Sequence, residues 1–382
     1  MRRETSSQNF AKPWRDPWLL VAGAGAIVAL TAAAVTGVIH LSKGKGQADN
    51  TAPGFTLRDQ RGRLTSLAEF RGKVVVLTFI DPECTQLCPL TTQSMVEAVK
   101  LLGPGAASEV QLLGVDANPD KTKITDVAQY THTHELEGRW RFLTGSRAQL
   151  ERIWHSYHVY VAVVHNDIQH TAVVFLIDGK GKERSLNSTP MSYAAVGDQA
   201  HALAAGIARL LPDHPAVPAP RQTPEVEEAP LRPDETVELT DLGPKQRTVA
   251  FGGAHAHLVV FFADWLGQVS DLSKNLGELD SYAELARKHG WPTPVAVDEL
   301  TTEPSPAEAK QGLIPLAAKL RTPIVEDASG RLADGYHVED LPWFVLSSPS
   351  GKILWHHDGW ISRADLVRET RAALSNANRV KS

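Results

Sequence analysis

Cys84 and Cys88 are the only two cysteines among 382 residues, and they stand four positions apart in the stretch DPECTQLCPLTT. The run before them, KVVVLTFI, is apolar after its first lysine. Thiols placed this way form a chemical unit: a soft metal site, a redox disulfide or a small structural staple. On a helix or helix-like turn, positions i and i+4 share a face, with Cα atoms about 6 Å apart. Two soft thiolates suit Cu(I), and a neutral imidazole suits copper as a third ligand. The same separation lies inside the roughly 4.4–6.8 Å window of a disulfide, so an oxidised pair is equally feasible. A bridge closing so short a loop would add little stability, which weakens the staple reading. Asp81 and Glu83 attract a cation and oppose thiolate formation, whereas a helix N-terminus presented to Cys84 favours the thiolate.

The elements that must hold this pair are legible as periodic runs. KVVVLTFI, VQLLGVDA and TAVVFLID read as buried parallel strands. Helical stretches separate them: LTTQSMVEAVKLLG, KTKITDVAQYTHTHE and SRAQLERIWHSY, with Asp120 expected as the N-cap of the second. Strands alternating with helices give an α/β domain, a central sheet flanked by helices, over residues 50–211. Seven prolines then crowd the segment from Pro212 to Pro233, which predicts a semi-extended linker over 212–234. Residues 235–378 repeat the plan. HLVVFFADW and PTPVAVDE are strands, LSKNLGELDSYAELARKHG, LIPLAAKL and SRADLVRETRAAL are helices, and PWFVLSSPSGKILWHHDGW is a hairpin turning at Pro349, Ser350 and Gly351. Two cysteines cannot staple a scaffold of this size, so each domain is expected to rest on an ordinary apolar core.

From Trp18 to Ile39 the chain carries no charged residue. A helix there would reach roughly 33 Å, enough to cross a hydrocarbon core of about 30 Å. Arg2, Arg3, Lys12 and Arg15 precede it, which predicts a cytoplasmic tail (1–17) and a transmembrane helix (18–41). Both domains would then lie on the extracytoplasmic side of the cell membrane, tethered by a single pass. A cleaved signal peptide ending near Ala32 to Ala34 is the alternative. A net charge of −5 argues against a nucleic-acid partner.

Residues 52–211 resemble the Sco/SenC family of thioredoxin-fold copper proteins. The resemblance is carried by APGFTLRDQRGRLTSLAEFRGKVVVLTFI, by C-T-Q-L-C-P, by GVDANPDKTKITDVAQY and by HNDIQHTAVVFLID. Thr85 stands where the family motif usually has its first proline, while Pro89 is kept. The resemblance implies Cys84, Cys88 and His170 as metal ligands, with Cys84 and Cys88 disulfide-bonded when oxidised. It implies copper as the cargo, Cu(I) with Cu(II) as a second oxidation state. It further implies a metallochaperone delivering copper to the dinuclear copper site of cytochrome c oxidase. The partners would be the copper-accepting oxidase subunit and a thiol reductant protein. A membrane-tethered thiol–disulfide oxidoreductase is the main alternative, and a copper or redox sensor a third. The three-residue spacing between the cysteines counts against the oxidoreductase.

In the second domain, VVFFADWLGQVSDL resembles the thioredoxin strand and active-site turn, with Leu266 and Val269 where that family carries its cysteines. DLPWFVL resembles the segment bearing the family's cis-proline, which makes Pro342 the expected cis residue. The whole is therefore read as two tandem thioredoxin-like domains, the second unable to exchange disulfides and suited to binding. Among the other histidines, His132 and His134 fall on a polar helix and read as a solvated face. His155 and His158 read as surface or packing residues. His165 is the runner-up to His170, and His356 and His357 have no cysteine nearby.

Overall fold

Strand β3 (Val74–Ile80) is apolar because it is covered on both faces. Val74, Val76 and Ile80 enter one core layer, while Val75, Leu77 and Phe79 enter the other. In the computed structural model, which describes residues 50–164, 167–219, 236–252 and 255–379, β3 is near the middle of a seven-stranded sheet. The segments expected as tail and transmembrane helix, most of the proline-rich linker and His165 lie outside the described residues. Among the described residues no helix is long and apolar enough to cross a membrane.

The other strands of this sheet are β1 (Thr56–Asp59), β2 (Leu64–Ser66), β4 (Val110–Asp116), β5 (Trp140–Thr144), β8 (Val173–Ile177) and β9 (Glu183–Ser188). Their order is β2-β1-β5-β4-β3-β8-β9. A separate ribbon pairs β6 (Val161–Val164) with β7 (Asp167–His170). Strands β3, β4 and β5 are parallel, but β8 runs antiparallel to β3. TAVVFLID is thus a buried strand of the opposite direction to the one expected. Burial on both faces makes a strand uniformly apolar whichever way it runs, so composition carries no direction.

Helix α1 (Leu87–Leu101) follows the cysteine loop. Pro89 is tolerated because first-turn amides have no partner within the helix, and Gly103, at φ 78°, lies just past its end. Met95, Val96 and Ala98 of α1 pack on the sheet together with Leu203, Ala204 and Ile207 of α4 (Val196–Ala208). Helix α2 (Ile124–Thr133) joins the same layer through Val127 and Tyr130, whereas α3 (Arg147–Ser156) covers the opposite face with Leu150, Ile153 and Trp154. The N-cap of α2 is Lys123, not Asp120. The Lys123 amide donates to Asp126 Oδ2 at 3.0 Å, so a carboxylate inside the first turn takes the capping role.

The second lobe repeats the central part of this plan. Its five-stranded sheet has the order β14 (Ile324–Asp327), β13 (Pro294–Glu299), β12 (His257–Phe262), β15 (Trp343–Ser347), β16 (Ile353–Asp358). Strands β12, β13 and β14 are parallel, while β15 and β16 are antiparallel additions, as in the run β5-β4-β3-β8-β9. Helices α5 (Leu272–His289), α6 (Pro306–Ala317) and α7 (Arg363–Arg379) accompany it, and β10 (Thr236–Thr240) pairs with β11 (Thr248–Gly252). Gly351 turns the β15–β16 hairpin at φ 79°, and the Leu341–Pro342 bond is cis, both as the sequence suggests.

The lobes share apolar core where they meet. Leu90, Tyr193 and Val196 of the first lobe belong to the same buried cluster as Trp265, Leu266, Leu332 and Leu341 of the second. Asp334 fixes the seam, accepting from Ser192 Oγ at 2.7 Å and from the Tyr193 amide at 2.8 Å. Gly330 makes that approach possible. A Cβ there would stand 2.4 Å from the Tyr193 carbonyl carbon, and its φ of 70° already disfavours other residues.

Candidate metal centre

The C-terminal ends of β3 and β4 open onto one crevice, the usual location for a site on a parallel sheet. Directly after β3, Asp81 builds a tight turn. Its Oδ1 accepts from the Glu83 amide at 2.9 Å and from Asn118 Nδ2 at 2.8 Å, and its carbonyl accepts from the Cys84 amide at 3.1 Å. Asn118 is placed in turn by Asp116, the last residue of β4, whose Oδ1 accepts from the Asn118 amide at 2.9 Å. Cys84 therefore lies on the turn before α1, partly exposed, while Cys88 lies in the first turn of α1, buried. The pair is not carried on one regular helix.

His170 approaches from β7. Its Nε2 is 3.6 Å from Cys88 Sγ, and its Nδ1 is 3.3 Å from the Thr171 carbonyl oxygen. A carbonyl only accepts, so Nδ1 carries the proton and Nε2 presents its lone pair to the sulfur. Burial pushes the His170 pKa down, which keeps the imidazole neutral. The Cys88 thiol is pushed well above its ordinary value, first by burial, then by a hydrogen bond with Cys84 and by the charges of Cys84 and Asp81. These outweigh the helix N-terminus at Cys88, which alone would favour the thiolate.

The structure thus brings Cys84, Cys88 and His170 into one neighbourhood. Among the described residues, however, no three His, Cys, Asp or Glu side chains stand ready-made around a common ion position. The Cys88–His170 spacing does suit a shared ion. With metal–sulfur and metal–nitrogen bonds of about 2.3 and 2.0 Å, a bond angle near 110° separates the two donors by about 3.5 Å.

The remaining histidines divide differently from the sequence reading. His132 is exposed and faces Glu137 at 3.1 Å. His134 is buried, its ring 4.2 Å from that of Tyr130 and 4.7 Å from that of Trp265, and burial lowers its pKa to about 3. The solvated face expected for His134 is corrected. The second lobe, far along the sequence, covers that side of α2. His356 stacks on Trp343 and His357 on Trp355.

A cavity of about 410 Å³ leads to Cys84. Pro82, Glu83 and Thr85 of the cysteine loop line it together with Asp126 and Tyr130 of α2 and with Trp265 and Val269 of the second lobe. Sequence reasoning missed Asn118, Tyr130 and His134 as neighbours of the site. The segment VDANPD was the available signal for Asn118, since its Asp116 and Asn118 are the short polar residues that make such turns.

A thiol on the turn after a central parallel strand and a second in the first turn of the following helix, faced by an imidazole, define a thiol–imidazole site on an α/β scaffold. Residues 43–205 match the family model described as SCO1/SenC. Among curated relatives, the SCO2 homolog of Bos taurus mitochondria is 30% identical over 135 residues, covering 33% of this chain and 50% of its own length. The SCO1 protein homolog of Bacillus subtilis is 28% identical over 99 residues, or 25% of this chain and 51% of that protein. The chain thus spans about half the length of these curated relatives. Among solved structures, Bradyrhizobium japonicum ScoI with copper bound is similar at 22% identity and a TM-score of 0.37, covering 42% of this chain and 99% of that one.

Proposed function

We propose that this chain is a membrane-anchored metallochaperone that binds Cu(I) through Cys84, Cys88 and His170. It hands the ion to the dinuclear copper site of cytochrome c oxidase. The observation that carries this reading is the buried Cys88 sulfur 3.6 Å from an imidazole nitrogen that turns its lone pair toward it, beside a second thiol. The SCO1/SenC match over residues 43–205 supports it, and the resemblance supplies the acceptor. Both thiols must lose their protons to the solvent as copper binds, whereas His170 ligates as it stands. Cys84 is the ligand an acceptor reaches first, because the cavity opens on it and Cys88 is buried. Transfer then proceeds by exchange of ligands, with Cys88 and His170 releasing last.

Mixing the Cu(I)-loaded chain with the copper-free acceptor domain should move close to one copper per chain, followed by the acceptor's copper–thiolate absorption. His170→Ala should still load copper but should fail to transfer it. A wild-type chain that loads copper and never gives it up would remove the chaperone reading.

A second reading, thiol–disulfide exchange, is favoured by the asymmetry of the pair, an accessible Cys84 beside a shielded Cys88. Copper-free chain that reduces protein disulfides catalytically would favour it over the chaperone. The second lobe we read as a thioredoxin-like module without thiols. Its strand order and the short helical turn Asp264–Gln268 after β12 support that. The uncharged run Trp18–Ile39 supports the anchor. Protease added to cells with an opened wall should digest residues 50–382, and full protection of both domains would overturn the topology.

A further inference from the structure

The loop between the two cysteines is held from the second lobe. Gln86 Nε2 donates to Asp340 Oδ2 at 3.4 Å, and the Thr85 side chain lies close enough to Asp340 to interact with it. Asp340 is 9% exposed, and its Oδ1 accepts from the Leu341 amide at 2.7 Å. Leu341 is buried in the shared core. One carboxyl, next to the buried Leu341 of the second lobe, therefore contacts the loop that follows Cys84, bonding Gln86 and lying beside Thr85. We propose that Asp340 is a positioning residue for the cysteine loop, through which the second lobe sets the dithiol–disulfide equilibrium of the first.

The direction follows from which cysteine can move. Cys88 is fixed within α1, packed in the core and against His170. Closing a bond of about 2.05 Å between the sulfurs therefore draws in Cys84, and Thr85 and Gln86 travel with it. Their contacts with Asp340 belong to the open dithiol. Oxidation removes two electrons and two protons from the pair, and an external disulfide takes both up as it becomes two thiols. Contacts present only in the dithiol make that exchange less favourable. The inference rests on the loop geometry and holds whether the pair carries copper or exchanges disulfides.

The test is the equilibrium of the copper-free full-length chain in buffers of reduced and oxidised dithiothreitol, with the rate of Cys84 alkylation alongside. Asp340→Ala should shift the dithiol–disulfide constant roughly tenfold toward the disulfide, about 30 mV more reducing. It should also speed alkylation of Cys84. Asp340→Asn keeps an acceptor oxygen and should recover part of the shift. Gln86→Ala, made on the loop side so that the second lobe is untouched, should give a smaller shift of the same sign. Combined with Asp340→Ala it should add less than its separate effect. Unchanged equilibria in Asp340→Ala and Gln86→Ala would overturn the proposal. So would an equal shift from Asp334→Ala, which loosens the seam without touching the loop.

Discussion

Cys88→Ser should abolish tight Cu(I) binding, and Cys84→Ser should do the same. A hydroxyl is a hard, protonated donor at neutral pH and cannot replace a soft thiolate. The fold should survive the change at Cys88. Serine is slightly smaller, and its hydroxyl can donate to His170 Nε2 in place of the thiol that lies 3.6 Å away there. His170→Ala should weaken Cu(I) binding less, since two soft thiolates alone can hold the ion. Competition against a colorimetric Cu(I) chelator reads all three. Loss of binding in the serine variants with unchanged thermal unfolding is the expected outcome, and copper held as tightly by either serine variant would contradict it.

The second large effect concerns stability in the second lobe. Asp298 is fully buried, and neither of its carboxyl oxygens has a well-formed hydrogen bond, although Glu303 lies close enough to interact. Burial pushes its pKa from 3.8 to about 8. Between those values the unfolded chain has given up a proton that the folded chain keeps. The stability this group contributes is thus complete below about pH 4 and is lost as pH rises toward 8, by up to about 1.4 kcal/mol per pH unit. Glu299 and Glu303, also raised chiefly by burial, act in the same direction. Asp298→Asn should therefore flatten the decline and make the protein more stable than wild type at pH 8. Urea unfolding at pH 5, 6.5 and 8 reads the slope, and parallel slopes for the two proteins would show that Asp298 is not the group responsible.

What the sequence revealed and what it withheld divide along physical lines. The cysteine spacing, the apolar strand before it and the proline of the cis Leu341–Pro342 bond are local patterns, and each is written in adjacent residues. The direction of β8 is not, because a strand covered on both faces reads alike either way. His134 sits among threonines and charged residues and gave no local sign of burial. Trp265, 131 positions later, covers it. The contact from Gln86 to Asp340 spans 254 positions and lies between lobes that the sequence divides by a proline-rich linker. Long-range pairings of this kind are set by how two lobes dock, and no periodicity within either lobe encodes them.

X-ray absorption at the copper edge of the Cu(I)-loaded full-length chain, compared with its His170→Ala variant, tests the ligand set most directly. The account predicts two sulfur scatterers and one nitrogen in the wild type, with the nitrogen lost in the variant and the sulfurs retained. A nitrogen scatterer that persists without His170, or a copper shell lacking two sulfurs, would contradict it.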